Sequence, residues 1–132
     1  MNNILFIITG SIAASRCKEI ITLLRNKEVK ISCILTKEAK KYIKISDIKK
    51  LLKNRIFTDE DEKKNKMLHI NLSRDNDMIV VCPATANSIA KFANGYGDNL
   101  SSNTLLASNK KILFVPAMNS FMWHNKINQK NV

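Results

Sequence analysis

Three unbroken apolar runs mark the chain, at residues 4–8 (ILFII), 78–82 (MIVVC) and 112–115 (ILFV). Runs of this length, bounded by turn residues, predict strands buried on both faces, as in a parallel sheet. Residues 29–35 alternate and are β-branched, predicting another strand. Between the first two strands, Ala13, Cys17, Ile20, Ile21 and Leu24 recur at helical spacing, with Arg16, Lys18, Glu19 and Arg25 on the other face. Strand, Gly10-Ser11 turn, helix and strand make a βαβ unit, whose crossover should be right-handed. Residues 38–42 fit one short helix, and Ser46 reads as the cap of a helix over 47–52. The charged run 59–66 reads as a solvated loop, and the weak alternation of 68–72 leaves helix and strand both open. The strand at 78–82 should end at Pro83, and a helix follows through Ile89, Ala90, Phe92 and Ala93. Gly95 and Gly97 break it, Asp98 reads as the cap of a helix over 99–108, and the strand at 112–115 should end at Pro116. The polar residues 125–132 read as a frayed end. Alternating strands and helices predict an α/β fold around a parallel sheet.

The chain has 132 residues, 45% hydrophobic and 25% charged. That is one domain able to bury a core without disulfide or metal staples. No repeat or linker divides it, so residues 1–132 are read as one unit.

The formal net charge is +11, yet only Arg16, Arg25, Arg55 and Arg74 are arginine, and aromatics are 6%. Nucleic-acid surfaces more often combine clustered arginine with stacking aromatics. The excess therefore reads as solvated lysine, compatible with an anionic small ligand, and no nucleic-acid partner is expected. Cys17, Cys33 and Cys82 show no paired spacing, which predicts buried thiols in a reducing compartment. His69 and His124 lie far apart, so no metal site is expected. The apolar run at 4–8 lacks the basic flank of a signal peptide, and no stretch approaches the roughly 20 residues of a membrane span. A cytoplasmic protein without a membrane partner is expected.

In open parallel sheets, ligands bind beyond the carboxyl ends of the strands. Four segments fall there: Gly10-Ser11-Ile12-Ala13-Ala14, then Thr36, then Pro83-Ala84-Thr85-Ala86-Asn87-Ser88, then Pro116-Ala117-Met118-Asn119. Small side chains let a ligand approach the backbone, and helix N-termini offer free N–H groups to anions. Singly, each segment is also an ordinary turn or cap, and the first is neither G-x-G-x-x-G nor a Walker loop. Together the four are harder to dismiss, and the Ser11 and Thr36 hydroxyls could add hydrogen bonds to a phosphate.

These segments occur in order with His69-Ile70-Asn71-Leu72 and, after Asn119, Ser120-Phe121-Met122-Trp123. The series resembles the homo-oligomeric flavin-containing cysteine decarboxylases, most nearly the phosphopantothenoylcysteine decarboxylase branch found in bifunctional coenzyme A biosynthesis proteins. The resemblance runs from the first strand to Trp123. It implies a Rossmann-like three-layer α/β sandwich of the flavoprotein type, with FMN as cofactor. It implies that Gly10, Ser11, Ile12 and Thr36 hold the FMN phosphate and ribityl chain. Tyr42 would lie against the flavin, and Thr85, Ala86, Asn87 and Ser88 would line it. His69 matches the catalytic histidine, and Asn119 the residue that holds the substrate carboxylate, with Met118 and Ala117 shaping the pocket. Family members form homotrimers, often assembled further, with the active site between subunits.

The implied reaction is decarboxylation of 4′-phospho-N-pantothenoylcysteine to 4′-phosphopantetheine, a phosphorylated cysteine conjugate as substrate. Loss of CO2 needs an electron sink, which FMN supplies. Histidine suits proton transfer near neutral pH, and a neutral asparagine orients a carboxylate without over-stabilising it before it leaves. The family carries a further region with a flap cysteine that assists the reductive half-reaction. Cys17, Cys33 and Cys82 do not fall at that position, so the domain is expected to be truncated at its C-terminus. Other readings are an incomplete or non-catalytic FMN-binding subunit, a peptidyl-cysteine decarboxylase, and a flavin prenyltransferase, against which His69 and Asn119 speak. By residue, His69 could be structural, Tyr42, Met118, Met122 and Trp123 could be packing, and His124, Lys91, Lys110 and Lys111 could be solvated surface.

Overall fold

The computed structural model describes residues 2–132. Five strands, β1 (Asn3–Ile8), β2 (Lys30–Leu35), β3 (Ile56–Phe57), β4 (Met78–Ala84) and β5 (Lys111–Pro116), form one sheet in the order β3-β2-β1-β4-β5. Every pairing is parallel, with Phe6 opposite Cys33 on one side and Val80 on the other. The central strand has neighbours on both edges and layers on both faces, so Leu5, Phe6, Ile7 and Ile8 are buried together. Burying each such side chain stabilises the fold by roughly 1.5–3 kcal/mol, and this is why the run is continuous rather than alternating.

Side-chain alternation divides the interior into two cores. Phe6, Ile8, Cys33, Leu35 and Val80 meet helices α1 (Cys17–Arg25) and α2 (Ile45–Leu52) through Cys17, Ile21, Ile48 and Leu52. Leu5, Ile7, Ile79 and Val81 meet α4 (Leu68–Asp75), α5 (Ala86–Ala93) and α6 (Leu100–Ala107) through Leu72, Ile89, Leu100 and Leu105. The sandwich therefore has the three expected layers. On the edge strand β5, Ile112 and Phe114 join the second core, while Leu113 and Val115 are exposed. Cys17, Cys33 and Cys82 are buried and free.

Several local readings change. The charged run is not a loop but helix α3 (Asp59–Lys64). Thr58 and Asp61 form a capping box, and four acidic residues in its first turn, with two lysines in its last, suit the helix dipole. Residues 68–72 resolve as part of α4. The 125–132 tail is ordered as α8 (Lys126–Asn131), following α7 (Ser120–His124). Asn125 caps α8, and Asn128 is buried, its Nδ2 donating to the Met122 carbonyl at 2.9 Å and to Met118 Sδ at 3.0 Å.

The cap of α6 is Asn99, not Asp98, and α2 begins at Ile45 without a Ser46 cap. The first helix enters through a 3-10 turn, Ile12–Arg16. Pro83 does not end its strand, whereas β5 does end at Pro116. β4 continues to Ala84 through an irregular register, and β5 reaches Pro116 on the sheet edge, where a missing N–H is tolerated. No helix among the described residues is long and apolar enough to cross a membrane.

Candidate functional site

The sheet order reverses at β1, with β2 on one side and β4 on the other. A cavity of about 320 Å³ opens beyond the carboxyl ends of these strands, the place where such sheets bind ligands and a size suited to small molecules. It is lined by Thr9, Gly10 and Ser11 after β1, by Thr36 and Glu38 after β2, and by Thr85 to Ser88 after β4. Phe92, Leu105, Ala117, Met118 and Met122 give it an apolar wall.

Each polar wall has a local cause. Ser11 caps the first turn, its Oγ accepting from the Ala13 N–H at 3.2 Å. Thr85 caps α5, its Oγ1 accepting from the Ser88 N–H at 3.1 Å. The first turn of α5 supplies Ala86, Asn87 and Ser88 to the lining, so helix-end N–H donors lie at the cavity. A Cβ on Gly10 would run into Glu38, so only glycine lets the two turns approach this closely. Thr36 Oγ1 donates to the Ile8 carbonyl at 3.1 Å and accepts from the Ala39 N–H at 3.3 Å. It therefore ties β2 to β1 as well as facing the cavity.

The rim carries charge that is already paired. Lys91 Nζ contacts both Asp98 oxygens at 3.1 Å. Lys41 donates to Glu38 at 2.7 Å, and this bond holds the Glu38 carboxyl below its ordinary value, leaving it anionic at neutral pH.

The structure brings together Gly10, Ser11, Thr36, Thr85, Ala86, Asn87, Ser88, Ala117 and Met118 around one cavity. Ile12, 79% exposed, and Tyr42, 45% exposed, belong to the surface and not to this lining; Tyr42 is not core either. Asn119 caps α7 through Oδ1, which accepts from the Met122 N–H at 2.8 Å, and sits just beyond the lining residues. His69 lies on α4, outside the cavity, with Nδ1 3.3 Å from Glu62 Oε2. Trp123 borders a second, open depression with Pro116 and Met118.

Sequence reasoning missed Thr9, Glu38, and the contribution of α6 through Asn99, Ser101 and Ser102. The signal for α6 was present as three hydroxyl residues, Ser101, Ser102 and Thr104, all buried in one helix.

Fold and cavity define an open parallel α/β domain with a cavity at its topological switch point. The Flavoprotein family model matches residues 1–132, and the chain belongs to that family. It is 34% identical over 127 residues to a coenzyme A biosynthesis bifunctional protein of Haemophilus influenzae, covering 95% of this chain and 32% of that relative. It is 30% identical to a probable phosphopantothenoylcysteine decarboxylase of Streptococcus mutans, covering 98% of this chain and 74% of the relative. The crystal structure of the FMN-dependent cysteine decarboxylase SpaF superposes with a TM-score of 0.90 at 30% identity, over 98% of this chain and 75% of that one. The chain thus spans about a third of the length of the bifunctional relative and about three quarters of the other two.

Proposed function

We propose that the chain binds FMN in the switch-point cavity and serves as an FMN-dependent cysteine decarboxylase acting on 4′-phospho-N-pantothenoylcysteine. The observation that carries this reading is the junction of two capped turns, at Ser11 and Thr85, facing one apolar wall. The residues fit the cofactor. Gly10, Ser11, Thr36 and the first turn of α5 suit a phosphate and a ribityl chain, while Phe92, Leu105, Met118 and Met122 suit a flat apolar ring. When bound, FMN supplies a two-electron sink for a cysteine carbon whose carboxylate is to leave.

The protein's part is positioning. Asn119 keeps its Nδ2 for a substrate carboxylate while Oδ1 caps α7. Ala117 and Met118 shape the wall beside it. His69 is the proton-transfer residue. Within one subunit it lies outside the cavity. That separation supports an assembly, a homotrimer or larger, in which a neighbouring subunit presents its His69 to the flavin. Three free, buried thiols suit a cytoplasmic setting.

The test is a titration of FMN into the purified full chain, followed by turnover of the phosphopantothenoyl substrate. A structured flavin absorbance and CO2 release are expected, with both reduced in Thr85→Ala and with His69→Asn losing turnover but keeping FMN. Release of CO2 from a peptide with a C-terminal cysteine, and not from the phosphopantothenoyl conjugate, would reassign the substrate. FMN binding without any turnover would reduce the chain to a flavin-binding subunit.

A further inference from the structure

Helix α3 carries no apolar face, yet it is held at both ends of one turn. Asp59 Oδ1 accepts from the Leu100 N–H of α6 at 3.0 Å. Three residues on, Glu62 Oε1 accepts from Asn103 Nδ2 of α6 at 3.4 Å. Residues three apart share a helix face, so α3 presents Asp59 and Glu62 to α6 together. That docking aims the other Glu62 oxygen, Oε2, at His69 Nδ1 on α4, 3.3 Å away. The side chains are only 27% and 21% exposed, and these two facing atoms are buried with no other hydrogen-bond partner. The pair stands within ion-pair distance without a full hydrogen bond. A buried polar atom left unpaired is unfavourable by about 1–3 kcal/mol, so each of these atoms needs the other.

We infer that Glu62, braced by Asn103, is a positioning residue that fixes the ring of His69 with its hydrogen on Nδ1. This rests on the reading of His69 as the proton-transfer residue. A carboxylate can only accept, so Nδ1 must donate, whether the imidazole is neutral or charged. Nε2 is then the nitrogen that gains and loses the proton, on the ring edge away from the buried Nδ1. A free neutral imidazole has no such fixed choice, and the nitrogen in play is set by what the other one bonds. The short helix α3 is thereby explained: its acidic first turn is placed to reach both α6 and His69.

The test uses the full FMN-loaded chain with 15N-labelled histidine, in a His124→Gln background that leaves one ring to observe. Nitrogen shifts should report Nδ1–H in this parent. Glu62→Ala should move the ring toward Nε2–H, and Asn103→Leu should do so in part, because Glu62 loses its brace. Glu62→Gln, whose amide oxygen still accepts, should restore Nδ1–H. In turnover, Glu62→Ala should lower kcat about 10- to 100-fold with KM little changed, a share of the roughly 100- to 10,000-fold that positioned proton transfer supplies. An Nε2–H ring in the parent, or the parent's Nδ1–H tautomer unchanged in both Glu62→Ala and Asn103→Leu, overturns the inference. Failure of the functional reading shows differently: His69→Asn would then turn over normally, while the tautomer would still follow Glu62. If Glu62→Ala does not fold, the Asn103→Leu and Glu62→Gln spectra decide.

Discussion

The hydroxyl of Thr9, at the end of β1, donates to the carbonyl of Pro83 in β4. The same oxygen accepts from the N–H of Thr85 at 3.3 Å. One buried side chain thus locks the turn after β1 to the turn after β4, the two polar walls of the cavity. Thr9→Val keeps the shape and removes both bonds, leaving a buried carbonyl unpaired at about 1–3 kcal/mol. Thermal unfolding should fall accordingly, and FMN affinity should drop several-fold as the walls lose their register. Thr9→Ser should retain both properties. Equal FMN affinity in the valine and serine variants would show that the turns hold their spacing without this hydroxyl.

The architecture was legible because buried parallel strands leave continuous apolar runs, and β1, β4 and β5 each did so. Much of the cavity was legible for a related reason: turns at strand ends need small and capping residues, and Gly10, Ser11 and Thr85 are those residues. Helix α3 was not. DEDEKK has no apolar period, and its stability comes from the Thr58–Asp61 box, the dipole, and contacts to α6 some forty residues on. α8 escaped for the same reason, since its one buried anchor is an asparagine. Tyr42 and Ile12 are the reverse case: their sequence neighbourhood matched a flavin site, but both are exposed and lie outside the lining of this subunit's cavity. Thr9 was hidden because nothing local marks a threonine whose partners lie more than seventy residues away.

Asn128 ties α8 to both Met122 and Met118, two cavity residues. Asn128→Ala removes both bonds, and destabilisation of about 1–3 kcal/mol follows from the exposed partners and the lost contacts. The apolar wall should loosen with it. Denaturant unfolding measures the first effect, and the FMN dissociation rate the second, which should rise. A variant with normal stability and an unchanged flavin off-rate would mean α8 merely rests on the wall.

Thr85 caps a helix and lines the cavity at once. Its hydroxyl caps α5 and bonds the Ser88 hydroxyl at 2.9 Å. Thr85→Ala should lower stability by about 1 kcal/mol, the usual loss of a cap, and should weaken FMN beyond that by leaving Ser88 free to rotate. Thr85→Ser should recover most of both. Isothermal titration of FMN and its phosphate-free analogue riboflavin separates the effects. The affinity gap between the two ligands should shrink in Thr85→Ala if this turn meets the phosphate, and stay constant if it does not.

Two of the three thiols, Cys17 and Cys33, set an alkaline limit, while the side-chain interaction with Cys17 holds the Cys82 thiol below its ordinary value. Cys17 donates to the Cys82 carbonyl at 3.2 Å, and the neighbouring Cys82 side chain, together with burial, pushes its thiol up. Burial alone pushes Cys33 up. In the unfolded chain a thiol ionises near pH ~8.5. Below that value both states hold the proton, and the stabilisation is fully present. Above it the unfolded state releases protons that the native state keeps, so stability falls as pH rises, by at most about 1.4 kcal/mol per pH unit for each thiol. Urea unfolding at about pH 7.5 and about pH 9.5 should show this loss, on either side of the unfolded value. Lysines and tyrosines also titrate at the upper end, so the decisive comparison is the Cys17→Ala, Cys33→Ala double variant. Two small cavities lower its stability at both pH values, but its dependence on pH should be flatter. An equal slope in parent and variant would assign the alkaline loss to the lysines. The same burial predicts that iodoacetamide leaves Cys17 and Cys33 unmodified in the native protein at neutral pH and labels both in urea.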